Sequence, residues 1–90
     1  MAQRTVIIGS TVGLHARPAA KFTQAVTATA LPVSISTADF GPVSAASILS
    51  VMALGAKFGQ EVTLEAEGEN ADSVLADLAA LLATDLDEVS

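Results

Sequence analysis

A two-layer α/β sandwich, built from an antiparallel sheet with helices on one of its faces, is the fold class that this 90-residue sequence predicts. Three observations carry that expectation. Two segments, Val33-Ser34-Ile35-Ser36-Thr37 and Val62-Thr63-Leu64-Glu65-Ala66-Glu67, alternate apolar with polar residues, as strands with one covered face do. Other segments repeat apolar residues at helical spacing and would supply the cover. Hydrophobic residues make up 51% of the chain and charged residues 16%, which is the composition of a packed domain and not of a disordered segment. At this length a second core does not fit, so residues 1–90 are expected to form one domain.

In chain order, Thr5-Val6-Ile7-Ile8 reads as a strand ended by Gly9. From about Ala16 to Ala28 a helix is expected, with Ala19, Phe22 and Val26 on its buried stripe and Thr29 at the stripe's end. The strand Val33–Thr37 follows. Ala38-Asp39-Phe40-Gly41 reads as a hairpin turn in which Gly41 takes a positive φ, and Pro42-Val43-Ser44 begins the returning strand. Ser47 to Leu54 reads as a short helix with Ser47 as its N-cap and Gly55 as its stop. The strand at Val62 turns Val62, Leu64 and Ala66 inward. Asn70 is expected to cap the last helix, whose first turn holds Asp72 and whose buried stripe is Val74, Leu75, Leu78, Leu81 and Leu82. The order is β-α-β-β-α-β-α: a four-stranded antiparallel sheet with three helices on one face.

Several classes of function lose their parts. There is no cysteine, hence no disulfide and no cysteine-based zinc site. His15 is the only histidine, and no cysteine or serine dyad accompanies it, so metal binding and protease-type triads lose their parts. Met1-Ala2-Gln3-Arg4 lacks the apolar run of a signal peptide, and no stretch is apolar enough for a membrane span, which makes the cytoplasm the expected compartment. A net charge of −6 argues against nucleic acid as a partner. The charge is also uneven. Arg4, Arg17, Lys21 and Lys57 are all the basic residues and share their part of the chain with Asp39 alone, whereas nine acids and no base follow Lys57. That pattern reads either as a solvated acidic C-terminal face or as a first half kept receptive to anions.

The second alternative gains content at Gly13-Leu14-His15-Ala16-Arg17-Pro18. Proline is tolerated only in the first turn of a helix, so the helix starts between Ala16 and Pro18 and His15 falls at its mouth. There the unpaired backbone N–H groups, those of Ala16 and Arg17 included, and the macrodipole favour an anion. The dipole contributes about 0.3–1 kcal/mol, and charge-assisted bonds from Arg17 to phosphate oxygens about 1.5–3 kcal/mol. The dipole also disfavours imidazolium, leaving a neutral, nucleophilic His15 able to attack a phosphoryl donor in line. Gly9 and Gly13, flanking the loop, permit close backbone approach. On the residues alone, a solvated surface histidine and a phosphate-carrying nucleophile stand level.

The segment Gly13-Leu14-His15-Ala16-Arg17-Pro18-Ala19-Ala20 resembles the active-site signature of the HPr family, the histidine-containing phosphocarriers of the bacterial phosphoenolpyruvate-dependent sugar phosphotransferase system. Ser47-Ile48 followed by Met52-Ala53-Leu54-Gly55 resembles that family's second signature. Glu61-Val62-Thr63-Leu64 and Ala66-Glu67-Gly68-Glu69 are similar to its last strand and the turn after it. The family fold is the same β-α-β-β-α-β-α open-faced sandwich. The resemblance implies a phosphoryl carrier and not an enzyme in its own right: phosphorylated enzyme I passes the group to Nδ1 of His15, Arg17 assists, and enzyme IIA components receive it for sugar uptake. It implies a monomer with no cofactor and no metal.

A carrier that meets two partners with one surface needs exposed apolar residues near its site. Ala20 beside the histidine loop and Ile48, Leu49 and Met52 on the short helix are the candidates, although an apolar stripe at that spacing also reads as core. Ile48, Leu49, Val51, Met52 and Leu54 cannot all point inward. The resemblance places Ser47 where many family members carry a regulatory phosphoserine, while a plain N-cap accounts for it equally. Ala46 stands where such members usually have lysine, as do Gln24 and Thr27 at other common lysine positions. Three other readings remain: a carrier in a nitrogen-related regulatory chain, a docking module of the same fold that transfers nothing, and an unrelated α/β domain that binds a small anion.

Overall fold

The computed structural model describes residues 2–9, 13 and 16–84. Seven elements follow in the expected order: β1 (Ala2–Ile7), α1 (Ala16–Thr29), β2 (Val33–Ser36), β3 (Val43–Ser44), α2 (Ile48–Ala53), β4 (Glu61–Ala66) and α3 (Ala71–Ala83). The four strands form one antiparallel sheet in the order β1-β4-β2-β3. The alternation read in β4 holds: Val62, Leu64 and Ala66 are buried, while Thr63 and Glu65 are half-buried on the other face.

β1 begins earlier than the expected Thr5. Its apolar run is short, but its ladder with β4 extends over six residue pairs, from Ala2↔Ala66 to Ile7↔Glu61. Gln3 and Arg4 look wrong for a strand in isolation. On an edge strand their side chains reach water, and Arg4 is exposed although it stands opposite buried Leu64. Thr37 leaves β2 to make the hairpin turn, where its N–H donates to Phe40 O at 2.8 Å. Gly41 takes φ +99 there, as the turn requires.

The helices cover one face. α3 lies on β1 and β4, and α1 packs against both α2 and α3. Ala19, Phe22 and Val26 of α1 are buried, with Thr29 half-buried; Pro18 and Thr23 join the stripe. Thr23 is accommodated because its hydroxyl donates to Ala20 O at 3.1 Å. On α3, Leu75, Leu78 and Leu82 are buried as expected, whereas Val74 and Leu81 sit at the flanks. Ala71 and Ala79 complete that stripe, their short side chains letting the helix approach the sheet.

The expected cap of α3 is corrected. Asn70 does precede the helix, but at φ +65 with no side-chain capping bond. A side-chain cap needs extended backbone at that residue, and the left-handed conformation turns the amide away from the first-turn N–H groups. Only the Asn70 carbonyl takes part, accepting from Val74 N–H at 2.9 Å. α2, by contrast, is capped as read: Ser47 is extended, its Oγ accepts from Ser50 N–H at 3.3 Å, and Gly55 at φ +66 follows the helix. Among the described residues no helix is long and apolar enough to cross a membrane.

Candidate functional site

The site expected from the sequence is centred on His15, which lies outside the described residues together with Leu14 and the Ser10–Val12 segment. Its surroundings are described on both sides. α1 opens at Ala16, inside the interval that Pro18 demands. The first turn, Ala16-Arg17-Pro18-Ala19, holds no acidic residue. It is split in its burial: Ala16 and Arg17 are exposed, whereas Pro18 and Ala19 are fully buried and anchor the helix end in the core. Proline suits this place because no N–H partner is lost in the first turn. A helix start of this kind, with a basic residue exposed in its first turn and no acidic one, favours an anion.

Gly9 and Gly13 do make close approaches, but to the protein's own framework. Gly9 N–H donates to Leu82 O at 2.9 Å, and its α-carbon lies so near the Ala83 carbonyl that a side chain would collide with it. Gly13 is buried at φ +72 against the backbone of Ala56 and Lys57. The segment 56–60 was missed as a neighbour of this loop by sequence reasoning. Gly55 and Gly59 mark it as a turn, but nothing local says which part of the chain it meets.

The short helix α2 resolves into two faces. Val51 is 0% and Leu54 8% exposed, whereas Ile48 is 38%, Met52 39% and Leu49 78% exposed. Three of the four docking candidates, those on α2, therefore lie at the surface, on a helix packed directly against α1. Ala20 of α1 is half-buried, and Ser47 is half-buried with its hydroxyl engaged in the cap. Phe58, within the 56–60 segment that meets Gly13, is a further exposed apolar side chain. Among the described residues no cluster of histidine, cysteine or carboxylate side chains could hold a metal ion.

A family model, the phosphorylation site of the HPr component of the phosphotransferase system, matches residues 2–84. The chain belongs to the HPr family. It is 49% identical over 89 residues to the phosphocarrier protein HPr of Streptomyces coelicolor, covering 99% of this chain and 96% of that one. It is 35% identical over 89 residues to the phosphocarrier protein NPr of Shewanella violacea, covering 98% and 96%. The crystal structure of HPr-C-His from Thermoanaerobacter tengcongensis superposes with a TM-score of 0.87 at 32% identity and 97% coverage of both chains. The open-faced sandwich is thus the HPr fold, and the protein is an HPr-type phosphocarrier of the phosphotransferase system.

Proposed function

We propose that this HPr-family chain carries its phosphoryl group on Nδ1 of His15, receiving it from phosphorylated enzyme I and passing it to enzyme IIA components for sugar uptake. The observation that carries the reading is the first turn of α1: exposed Ala16 and Arg17, no acid, and a buried Pro18–Ala19 anchor behind them. In the transfer the ring nitrogen's lone pair forms the new bond to phosphorus as the donor's bond to phosphorus breaks, and the bonding pair leaves with the donor group. The other ring nitrogen keeps its proton during the attack. Arg17 and the backbone N–H groups of Ala16 and Arg17 balance the phosphoryl charge. The reverse sequence, with the acceptor as nucleophile, discharges the carrier. The chain works as a monomer in the cytoplasm and needs no cofactor, because the two partners complete each transition state. Ala20, Ile48, Leu49 and Met52 form the dock, and Ser47 is a site where phosphorylation would place negative charge at its edge.

The test is direct. Incubation with enzyme I, Mg²⁺ and phosphoenolpyruvate is expected to add one acid-labile phosphoryl group, read by intact mass, and His15→Ala is expected to add none. Labelling of the alanine variant, or no labelling of the unmutated chain, rejects the assignment. A second reading, a carrier in a nitrogen-related regulatory chain, is favoured by the similarity to an NPr. Presenting the phosphorylated protein to enzyme IIA proteins of both kinds separates the two by which acceptor discharges it.

A further inference from the structure

The chain on the N-terminal side of His15 is fastened at two places. At Ile8 it leaves the sheet, its N–H donating to Gln60 O and its carbonyl accepting from Gly59 N–H, both at 2.9 Å. One residue on, Gly9 N–H reaches Leu82 O at the end of α3. The second fastening is Gly13, two residues before His15. A Cβ on Gly13 would stand 2.7 Å from Ala56 O and 3.1 Å from Lys57 Cα. Both are backbone atoms and cannot swing aside. The seat itself is stiff: Ala56 is buried, Lys57 N–H donates to Gln60 Oε1 at 3.1 Å, and Gln60 N–H donates to Lys57 O at 2.9 Å. On the other side of His15, the buried Pro18–Ala19 pair fixes the start of α1.

We infer that Gly13 is a positioning residue for phosphoryl transfer: its backbone, seated without a side chain against Ala56 and Lys57, fixes the approach of the chain to His15 relative to the turn after α2. The inference rests on His15 as the phosphoryl carrier. In-line transfer has little tolerance for misplacement of the nucleophile, and an error of about 1 Å costs about 100-fold. The stiff turn at 56–60 therefore acts on the nucleophile through Gly13, from a part of the chain outside the nucleophile's own loop.

Two kinds of strain must be separated in the test. Gly13→Ala imposes an unfavourable left-handed backbone and also a collision with the seat. Gly68→Ala imposes the backbone strain, at φ +126, at the other end of β4, where only the tip of Leu31 is near. Thermal melting and phosphorylation kinetics with phosphorylated enzyme I are measured for both. Gly13→Ala is expected to lower kcat about 10- to 100-fold while KM for the donor stays within about twofold. Gly68→Ala is expected to lose stability and keep its kcat. An unchanged kcat in Gly13→Ala overturns the inference, as does an equal loss of kcat in Gly68→Ala. If Gly13→Ala does not fold, Gln60→Ala decides: it removes the side-chain bond to Lys57 N–H without adding bulk. A drop in kcat of about threefold or more at constant KM supports the seat, and an unchanged kcat rejects it. Failure of the carrier role itself is distinguishable, because the unmutated chain would then take no phosphoryl group at all.

Discussion

Arg17 occupies the second position of α1, exposed, in a turn whose other members are two alanines and a buried proline. Truncating an exposed side chain there removes no core contact, so Arg17→Ala is expected to change the unfolding free energy by no more than about 0.5–1 kcal/mol in a denaturant titration. Transfer is another matter. A charge-assisted bond to the phosphoryl oxygens contributes about 1.5–3 kcal/mol, so the same variant is expected to slow single-turnover transfer by about tenfold or more. Normal rates would make Arg17 an ordinary surface charge. The start of α1 was legible in the sequence because the signal is local: Pro18 fixes where a helix can begin, and α1 opens two residues before it. The seat of Gly13 was not legible, because its other half, Ala56 and Lys57, comes from a distant part of the chain and only the fold brings the two together.

At the scale of an element, α2 is the informative case. Its limits could be read from Ser47 and Gly55, whose chemistry suits a helix start and a helix stop. Its outward face could not, because six residues make fewer than two helical turns, too few repeats to separate core from surface. Packing against α1 and β3 decides the matter: Val51 turns inward, and Leu49 is left 78% exposed. Leu49→Ser is therefore expected to leave the unfolding free energy unchanged to within about 0.5 kcal/mol in a denaturant titration. If this face is the dock, the substitution raises KM for phosphorylated enzyme I several-fold with little change in kcat, the reverse of the pattern expected at Gly13. Equal kinetics would place the dock elsewhere. The cap of α3 shows the limit of such reading: Asn70 has the right chemistry, but a left-handed backbone deprives its side chain of the bond.

At the scale of the molecule, the order of the elements and the two layers were legible because alternation and helical spacing report which face of each element is dry. The core is made mainly of aliphatic side chains and alanines, with Phe22 its one aromatic; Phe40 and Phe58 are both exposed. Phe22→Ala is expected to cost about 3–5 kcal/mol, a large share of the 5–15 kcal/mol or so that holds a domain folded. A fall of this size in the unfolding free energy from a denaturant titration checks it, and a change of less than about 1 kcal/mol would mean the core closes over the gap. Strand order was the part hidden from sequence, because alternation shows that a strand has a dry face but not which neighbour it pairs with. β4, last of the strands in the chain, lies between β1 and β2. During synthesis, then, β1 and β2 leave the ribosome with no common neighbour, and the edge that each later offers to β4 stays open until Glu61–Ala66 emerges to join them. A chain interrupted before that strand therefore has its first and second strands but nothing to join them into one sheet.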